Sequence, residues 1–282
     1  MSSDGSLLIA AESDLLTGNR HTTTGKHLFR RYWLVIAILI VWELAARYGY
    51  LPRAVLPAPS TVAQSAASLT AHRDPALGSL PDHLLRSLGR QLLGFGLAVA
   101  VAFPLGVWMG MSQKVRECLL PLVQIFYPVP GLAWTPLAIL WLGLGGKTVI
   151  FLIFIGAIWP ILYGTIGGLQ NIRPHYGRAA ASLGATHFYQ LTRVSIPASL
   201  SMILTGLRLG YGASWRTIVG AEMIASTSGL GYMLSVAADT RRGDVIVAGM
   251  IIIGALGFLI EYFAFDRLDR ATVGRWGMRE TH

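Results

Sequence analysis

The chain has 282 residues, of which 53% are hydrophobic and only 13% charged, whereas soluble domains carry about 25% charged residues. Its net charge is +9, but the charges avoid the long apolar runs and fall in the connections, so the basic balance points to lipid and cytosol and not to nucleic acid. Cys118 is the single cysteine and the histidines lie outside the apolar runs, which excludes an intramolecular disulfide, a cysteine-ligated cluster and a buried metal site.

Residues 1–30 are polar and without periodicity, and read as a cytoplasmic tail. Arg30 and Arg31 precede a first apolar span, which runs from Tyr32 past Glu43 to Leu51. The stretch 52–89 is rich in proline and reads as an extramembrane connection, in which Ser60 or Thr61 caps a short helix through Leu69. Residues 91–113, 119–146 and 148–172 are free of charge, and each exceeds the roughly 20 residues that a membrane helix needs. They are expected as spans two to four. Pro128, Pro130 and Pro136 interrupt span three, a break that is tolerated only where the freed backbone is buried in protein or lines a wet cavity.

Span five, residues 196–224, contains Arg208, Arg216 and Glu222. A loop over 225–243 leads to span six, which runs from Val245 to about Phe265, and a basic tail over 269–282 follows. The six-span domain thus covers 31–268. With both termini in the cytosol, the cytoplasmic connections and tails hold most of the lysines and arginines, as the positive-inside rule requires. No internal repeat is visible, which argues against secondary transporters built from inverted repeats.

Two segments carry candidate function. Between spans four and five, residues 173–197 combine Pro174, suited to a first helical turn, a run of good helix formers over 178–183, Gly184, suited to a left-handed stop, and Thr186, suited to cap a second helix. The result is a stiff cytoplasmic knob of two short helices that presents Tyr176, Ala179, Ala180 and Leu183. An ordinary basic connector fits the same physics. In span five, Arg208, Gly212, Trp215, Val219 and Glu222 fall on one helical stripe, with Arg216 about 80° to its side, and Gly206 and Gly210 form a small-residue pair for close helix contact. The stripe either lines a path in which Arg216 attracts an anion, or Arg208 and Glu222 make fixed polar contacts while Arg216 reaches the interface. Trp134, beside the break in span three, faces either the core or a cavity.

Residues 177–197 read GRAAASLGATHFYQLTRVSIP and resemble the EAA loop of bacterial ABC-transporter permeases, with Ala179, Ala180, Gly184, Val194, Ile196 and Pro197 at the motif positions. The motif's glutamate position is held by Arg178, so a salt bridge assigned to that glutamate does not carry over. Ser87-Leu88-Gly89-Arg90, Pro104-Leu105-Gly106, Thr135-Pro136-Leu137, Ala221-Glu222-Met223 and Ser228-Gly229-Leu230-Gly231 are similar to the aliphatic sulfonate, taurine and nitrate branch. The resemblance implies an all-α integral membrane protein with six transmembrane helices, a type I importer permease like that of the methionine importer, and not an enzyme. It implies ATPase coupling through Tyr176, Arg178, Ala179, Ala180, Leu183, Gly184, Ala185 and Pro197. A substrate path would involve Tyr127, Trp134, Thr135, Arg208, Ser214, Trp215, Arg216 and Glu222. The chain has no Walker A pattern, so ATP and Mg are expected on two partner ATPase subunits and no cofactor on this chain. Further partners implied are a second permease copy, an extracytoplasmic substrate-binding protein and membrane lipid, in the bacterial inner membrane. A stand-alone secondary transporter or channel is the alternative.

Overall fold

The computed structural model describes residues 24–48, 56–71, 74 and 77–271. Residues 1–23 and 272–282, most of the two expected tails, lie outside them. The chain divides into two compact units, 1–61 and 62–282.

In the first unit, helix α1 (Thr24–Arg47) starts several residues before the expected span, because no helix breaker stands between Lys26 and Tyr32. Near its end, Glu43 accepts from Arg47 Nε at 2.5 Å, from the Ser60 amide at 3.1 Å and from the Ser60 hydroxyl at 2.8 Å. A carboxylate near a span end is thus held by local donors. Helix α2 (Pro59–Ala71), which runs from this unit into the second, starts at Pro59, so Ser60 and Thr61 lie inside its first turn and do not cap it as expected.

In the second unit, α3 (Leu80–Met111) begins well before the expected start of span two. Ser79 caps it by accepting from the Asp82 amide at 3.4 Å, and Pro81 stands in its first turn, a start signal inside what reads as a connection. Helix α4 (Gln113–Phe126) is capped by Ser112. A break over 127–130 and a 3-10 turn, Gly131–Trp134, lead into α5 (Thr135–Leu142). The two arms are bent by 85°, so the proline-rich interruption is real. Helix α6 (Gly146–Gln170) follows a turn in which Gly143 and Gly145 have φ of 74° and 138°.

Helices α7 (Pro174–Ser182) and α8 (His187–Gln190) precede a π-helical segment, Leu191–Ser195, and α9 (Ile196–Ala225). The expected loop over 225–243 instead contains α10 (Leu230–Asp239). Its apolar positions, Leu230, Met233, Leu234 and Ala237, follow helical spacing and are buried, but the run is short enough to read as a connection. Helix α11 (Gly243–Ile260) continues through a π-helical segment, Glu261–Phe265, into α12 (Asp266–Ala271).

Helix α6 is apolar all round and therefore central. It packs along both α3 and α9, and Val149, Leu152, Ile153, Ala157 and Ile161 are fully buried. Where α6 and α9 cross, a Cβ built on Gly164 falls 2.5 Å from the Gly206 Cα. The backbones themselves touch, as the Gly206/Gly210 spacing predicts. Among the described residues, Leu80–Met111, Gly146–Gln170 and Gly243–Arg270 are long and apolar enough to cross a membrane, and the bent pair makes a fourth if counted as one span. Helices α1 and α9, the other two expected spans, carry several charges and are not among them.

Candidate functional site

The knob between α6 and α9 is built by local chemistry. Pro174 stands in the first turn of α7. The helix ends at Gly184, with φ of 78°. The Gly184 amide donates to Ala181 O at 3.0 Å and the Ala185 amide to Ala180 O at 3.0 Å, the pair of bonds that closes a helix around a left-handed glycine. Thr186 then caps α8, accepting from the Tyr189 amide at 3.3 Å, and Gln190 Nε2 reaches back to Ala185 O at 2.9 Å. The corner is therefore hydrogen-bonded from both sides.

The second helix does not stop before Pro197. It passes through the π-helical segment directly into α9, and Pro197 lies in the first turn of that long helix. Proline has no amide to donate, and the wider turn absorbs the register change. The knob is thus the end of the same rod that carries Arg216 and Glu222.

Leu183 is 89% exposed and Phe188 75%, with Tyr176 and Tyr189 about half exposed. Arg178 and Ala179 are exposed, whereas Ala180, Ala185 and Pro197 are half-buried. The apolar tip therefore comprises Tyr176, Leu183, Phe188 and Tyr189. The last two are absent from the expected set, although their position just after the Thr186 cap was a usable signal.

At the far end of α9, Glu222 is 1% exposed. Its carboxylate accepts from Arg90 Nη1 at 2.8 Å, from the Gly231 amide at 3.1 Å and from the Ser87 hydroxyl, which lies 2.9 and 2.7 Å from its two oxygens. Arg90 also donates to the Ser228 carbonyl and hydroxyl, both at 2.6 Å, and the Leu230 amide donates to Ser87 Oγ at 2.8 Å. A Cβ on Gly229 would fall 2.2 Å from the Glu222 carboxylate, and one on Gly231 would fall 2.2 Å from Val219 O. The Ser228-Gly229-Leu230-Gly231 segment wraps the carboxylate and lacks side chains where it must approach. The Gly229 amide donates to His83 Nδ1 at 2.9 Å, and His83 Nε2 lies 2.7 Å from Leu77 O, so the proton is assigned to Nε2.

The remaining residues of α9 divide sharply. Arg208 faces Asp266 at 3.8 Å and lies 5.8 Å over the Phe265 ring. Trp215 is buried where α11 passes at Gly257 and stacks on Tyr211. Ser214 is fully buried, accepting from Gln91 Nε2 at 2.8 Å and donating to Tyr211 O at 2.9 Å. From Trp215 to Glu222 the expected stripe is packed against α3, α10 and α11, whereas Arg208 on the same stripe stays exposed beside Asp266. Periodicity identifies residues on one face but not the neighbour that covers it. Arg216 lies off that seam. It is exposed, on the side of α9 that also bears the exposed Thr205 and Leu209, and makes no ion pair among the described residues.

Residues 102–275 match the family described as the binding-protein-dependent transport system inner membrane component. The chain belongs to this family. Among its relatives, a putative ABC transporter permease of Methanocaldococcus jannaschii is 40% identical over 84% of this chain and 88% of its own length. The taurine transport system permease protein of Escherichia coli K12 is 36% identical over 79% and 82%, and the nitrate import permease protein of Synechocystis 31% over 81% and 84%. The fold is shared with the MetNI methionine ABC transporter in an inward-facing conformation, at a TM-score of 0.61 and 18% identity, over 68% of this chain and 95% of that one. The protein is thus a membrane-embedded permease subunit and not an enzyme.

Within this permease, Tyr127 is half-exposed with its ring 4.9 Å from that of Tyr163, edge to face. Trp134 is half-buried against Phe126, and Thr135 is buried and donates to Leu132 O at 2.6 Å. Of the residues expected on a path, Tyr127, Arg208 and Arg216 reach a free surface and Trp134 does so in part. Thr135, Ser214, Trp215 and Glu222 are buried by their own chain and present no free surface.

Gly184 yields a direct test of the knob. A Cβ there meets nothing within 4 Å, so Gly184→Leu acts through backbone strain alone, at a cost of at least ~1 kcal/mol at positive φ. Membrane abundance is expected to hold while uptake and the ATPase activity of the assembled transporter fall together. Wild-type uptake at equal abundance would reduce the knob to a connector.

Proposed function

We propose that this chain is the permease of an ATP-driven importer for a small anionic solute of the sulfonate, taurine or nitrate kind. It acts as six spans with both termini in the cytosol, in the bacterial inner membrane. Two copies enclose the path and two ATPase subunits, which hold ATP and Mg, seat the knobs. An extracytoplasmic binding protein delivers the solute. ATP closes the ATPase pair, the knobs move together, and each push travels along the continuous rod from α8 into α9, since packed elements shift as units. The cavity between copies then opens outward, and hydrolysis resets it. The taurine and nitrate permeases among its relatives support the solute class.

The observation that carries this reading is Arg216. Of the three charges inside α9, Arg208 and Glu222 have partners within the chain, whereas Arg216 is exposed and has none among the described residues. An unpaired charge within a span is costly, and an anion in the path is the partner it fits. In vesicles carrying the permease and its ATPase, uptake of taurine, ethanesulfonate or nitrate is expected to require ATP. Arg216→Lys keeps substantial uptake. Arg216→Gln loses about tenfold or more, the scale of one charge-assisted hydrogen bond, with basal ATP hydrolysis intact. Normal uptake by Arg216→Gln removes the residue from the path.

A further inference from the structure

A groove of about 700 Å³ opens where α3 turns into α4 and α6 ends, lined by Gly110, Arg116, Leu120, Gln124, Tyr163 and Gln170 among others. Its size is that of a site for a small organic ligand. Arg116 lies in the first turns of α4 and is half-buried. The Gln170 amide is assigned with its oxygen toward this neighbour, since only then do its atoms find partners, and it accepts from Arg116 Nη1 at 2.7 Å and Nε at 2.9 Å. That contact satisfies two donors but brings no negative charge. No carboxylate lines the groove. The adjacent Glu117 is exposed and accepts from Gln113 Nε2 at 2.7 Å. Among the described residues Arg116 has no ion pair, and its Nη2 has no partner. A half-buried guanidinium without a counter-charge, on a groove of mixed polar and apolar lining large enough to admit one, is an incomplete arrangement.

We propose that this groove binds an oxyanion group of the sulfonate or phosphate type on Arg116. Gln124 and Tyr163, which line the same space, each carry a neutral donor. Guanidinium presents its donors as a planar fork that matches two oxygens of such a group, and Gln170, which lines the same groove, holds the Arg116 side chain through Nη1 and Nε. The groove is distinct from Arg216, which lies on α9 and does not line it. Two sources share this chemistry: a solute leaving the path, or the headgroup of an anionic phospholipid at the end of the helices. Only the first assignment, as a station on the route inward, rests on the importer reading. The oxyanion site itself stands on the groove.

The test uses the full chain in phosphatidylcholine nanodiscs, titrated with ethanesulfonate and inorganic phosphate by calorimetry. Phosphatidylglycerol retention is followed in parallel by native mass spectrometry. Arg116→Gln is expected to weaken binding of at least one probe by about tenfold or more. Gln124→Trp adds bulk to the groove from an exposed position and leaves Arg116 and Gln170 in place, and is expected to do the same, so the test survives if Arg116→Gln folds poorly. Loss of free-anion binding assigns the site to solute, and loss of phosphatidylglycerol alone assigns it to lipid; either supports the proposal. Equal binding of every probe by the wild type and both variants, or none by the wild type, overturns it and leaves Arg116 as a brace between α4 and α6. Because uptake is not the readout, an importer without this site and a site without import give different results.

Discussion

Gly206→Val is expected to strip most of the folded permease from the membrane. A Cβ on Gly206 would stand 2.8 Å from the Gly164 Cα and 3.0 Å from Pro160 O. Both are backbone atoms of α6 and cannot rotate aside as a side chain can. Valine adds two further methyl groups at the point where α6 and α9 are closest. Overpacking of this kind costs about 3 kcal/mol at the upper end of its usual range, and α6 is the helix on which both α3 and α9 pack. Moving α9 also moves the knob. The effect is read as the melting midpoint and yield of detergent-solubilised protein. Gly254→Val on α11 is the control, since a Cβ there meets nothing within 4 Å, and it should match wild type. Equal stability of the two variants would show that the Gly164–Gly206 crossing is not a close contact.

The second large effect is expected at Glu222. Removing one partner of a buried pair costs about 3–5 kcal/mol, because the other charge stays buried and uncompensated. Glu222→Ala strands Arg90, the Ser87 hydroxyl and the Gly231 amide together, and the Ser228-Gly229-Leu230-Gly231 segment loses the group around which it folds. Glu222→Gln keeps the shape and loses the charge, and should fall between wild type and alanine. The double substitution Arg90→Met, Glu222→Leu removes both charges and should recover part of the stability lost in Glu222→Ala. Thermal unfolding of the four proteins measures this order. Stability of Glu222→Ala equal to wild type would contradict the network as a structural lock, and failure of the double variant to exceed it would show that shape and not charge is decisive.

The geometry of the knob between α6 and α9 was legible residue by residue. Pro174 opens α7, Gly184 takes positive φ and Thr186 caps α8, as their side chains require. Each of these acts on atoms within a few residues of itself, so sequence spacing is enough. The break at Pro128 and Pro130 and the close approach at Gly206 belong to the same class, because proline lacks a donor and glycine lacks a side chain wherever they stand. The helix over Leu230–Asp239 was missed for the opposite reason. Ten residues of helical spacing are a weak local signal, and that helix is held by burial of Leu230, Met233 and Ala237 in a cluster with Leu69, Leu77 and Leu80.

The stripe on α9 shows where local reasoning ends. Arg208, Trp215 and Glu222 do share a face, but Gly257, Ser87 and Arg90 cover it at Trp215 and Glu222 while Arg208 stays exposed beside Asp266, and these neighbours lie far away in the chain. The sequence by itself determined the membrane class, the caps and corner of the knob, the broken span and the set of charges placed inside α9. Only the tertiary structure decided which of those charges are neutralised within the chain and which remain available. Helical spacing is set by the backbone and repeats along one segment, whereas the cost of a buried charge is settled by whichever distant donors the fold brings to it.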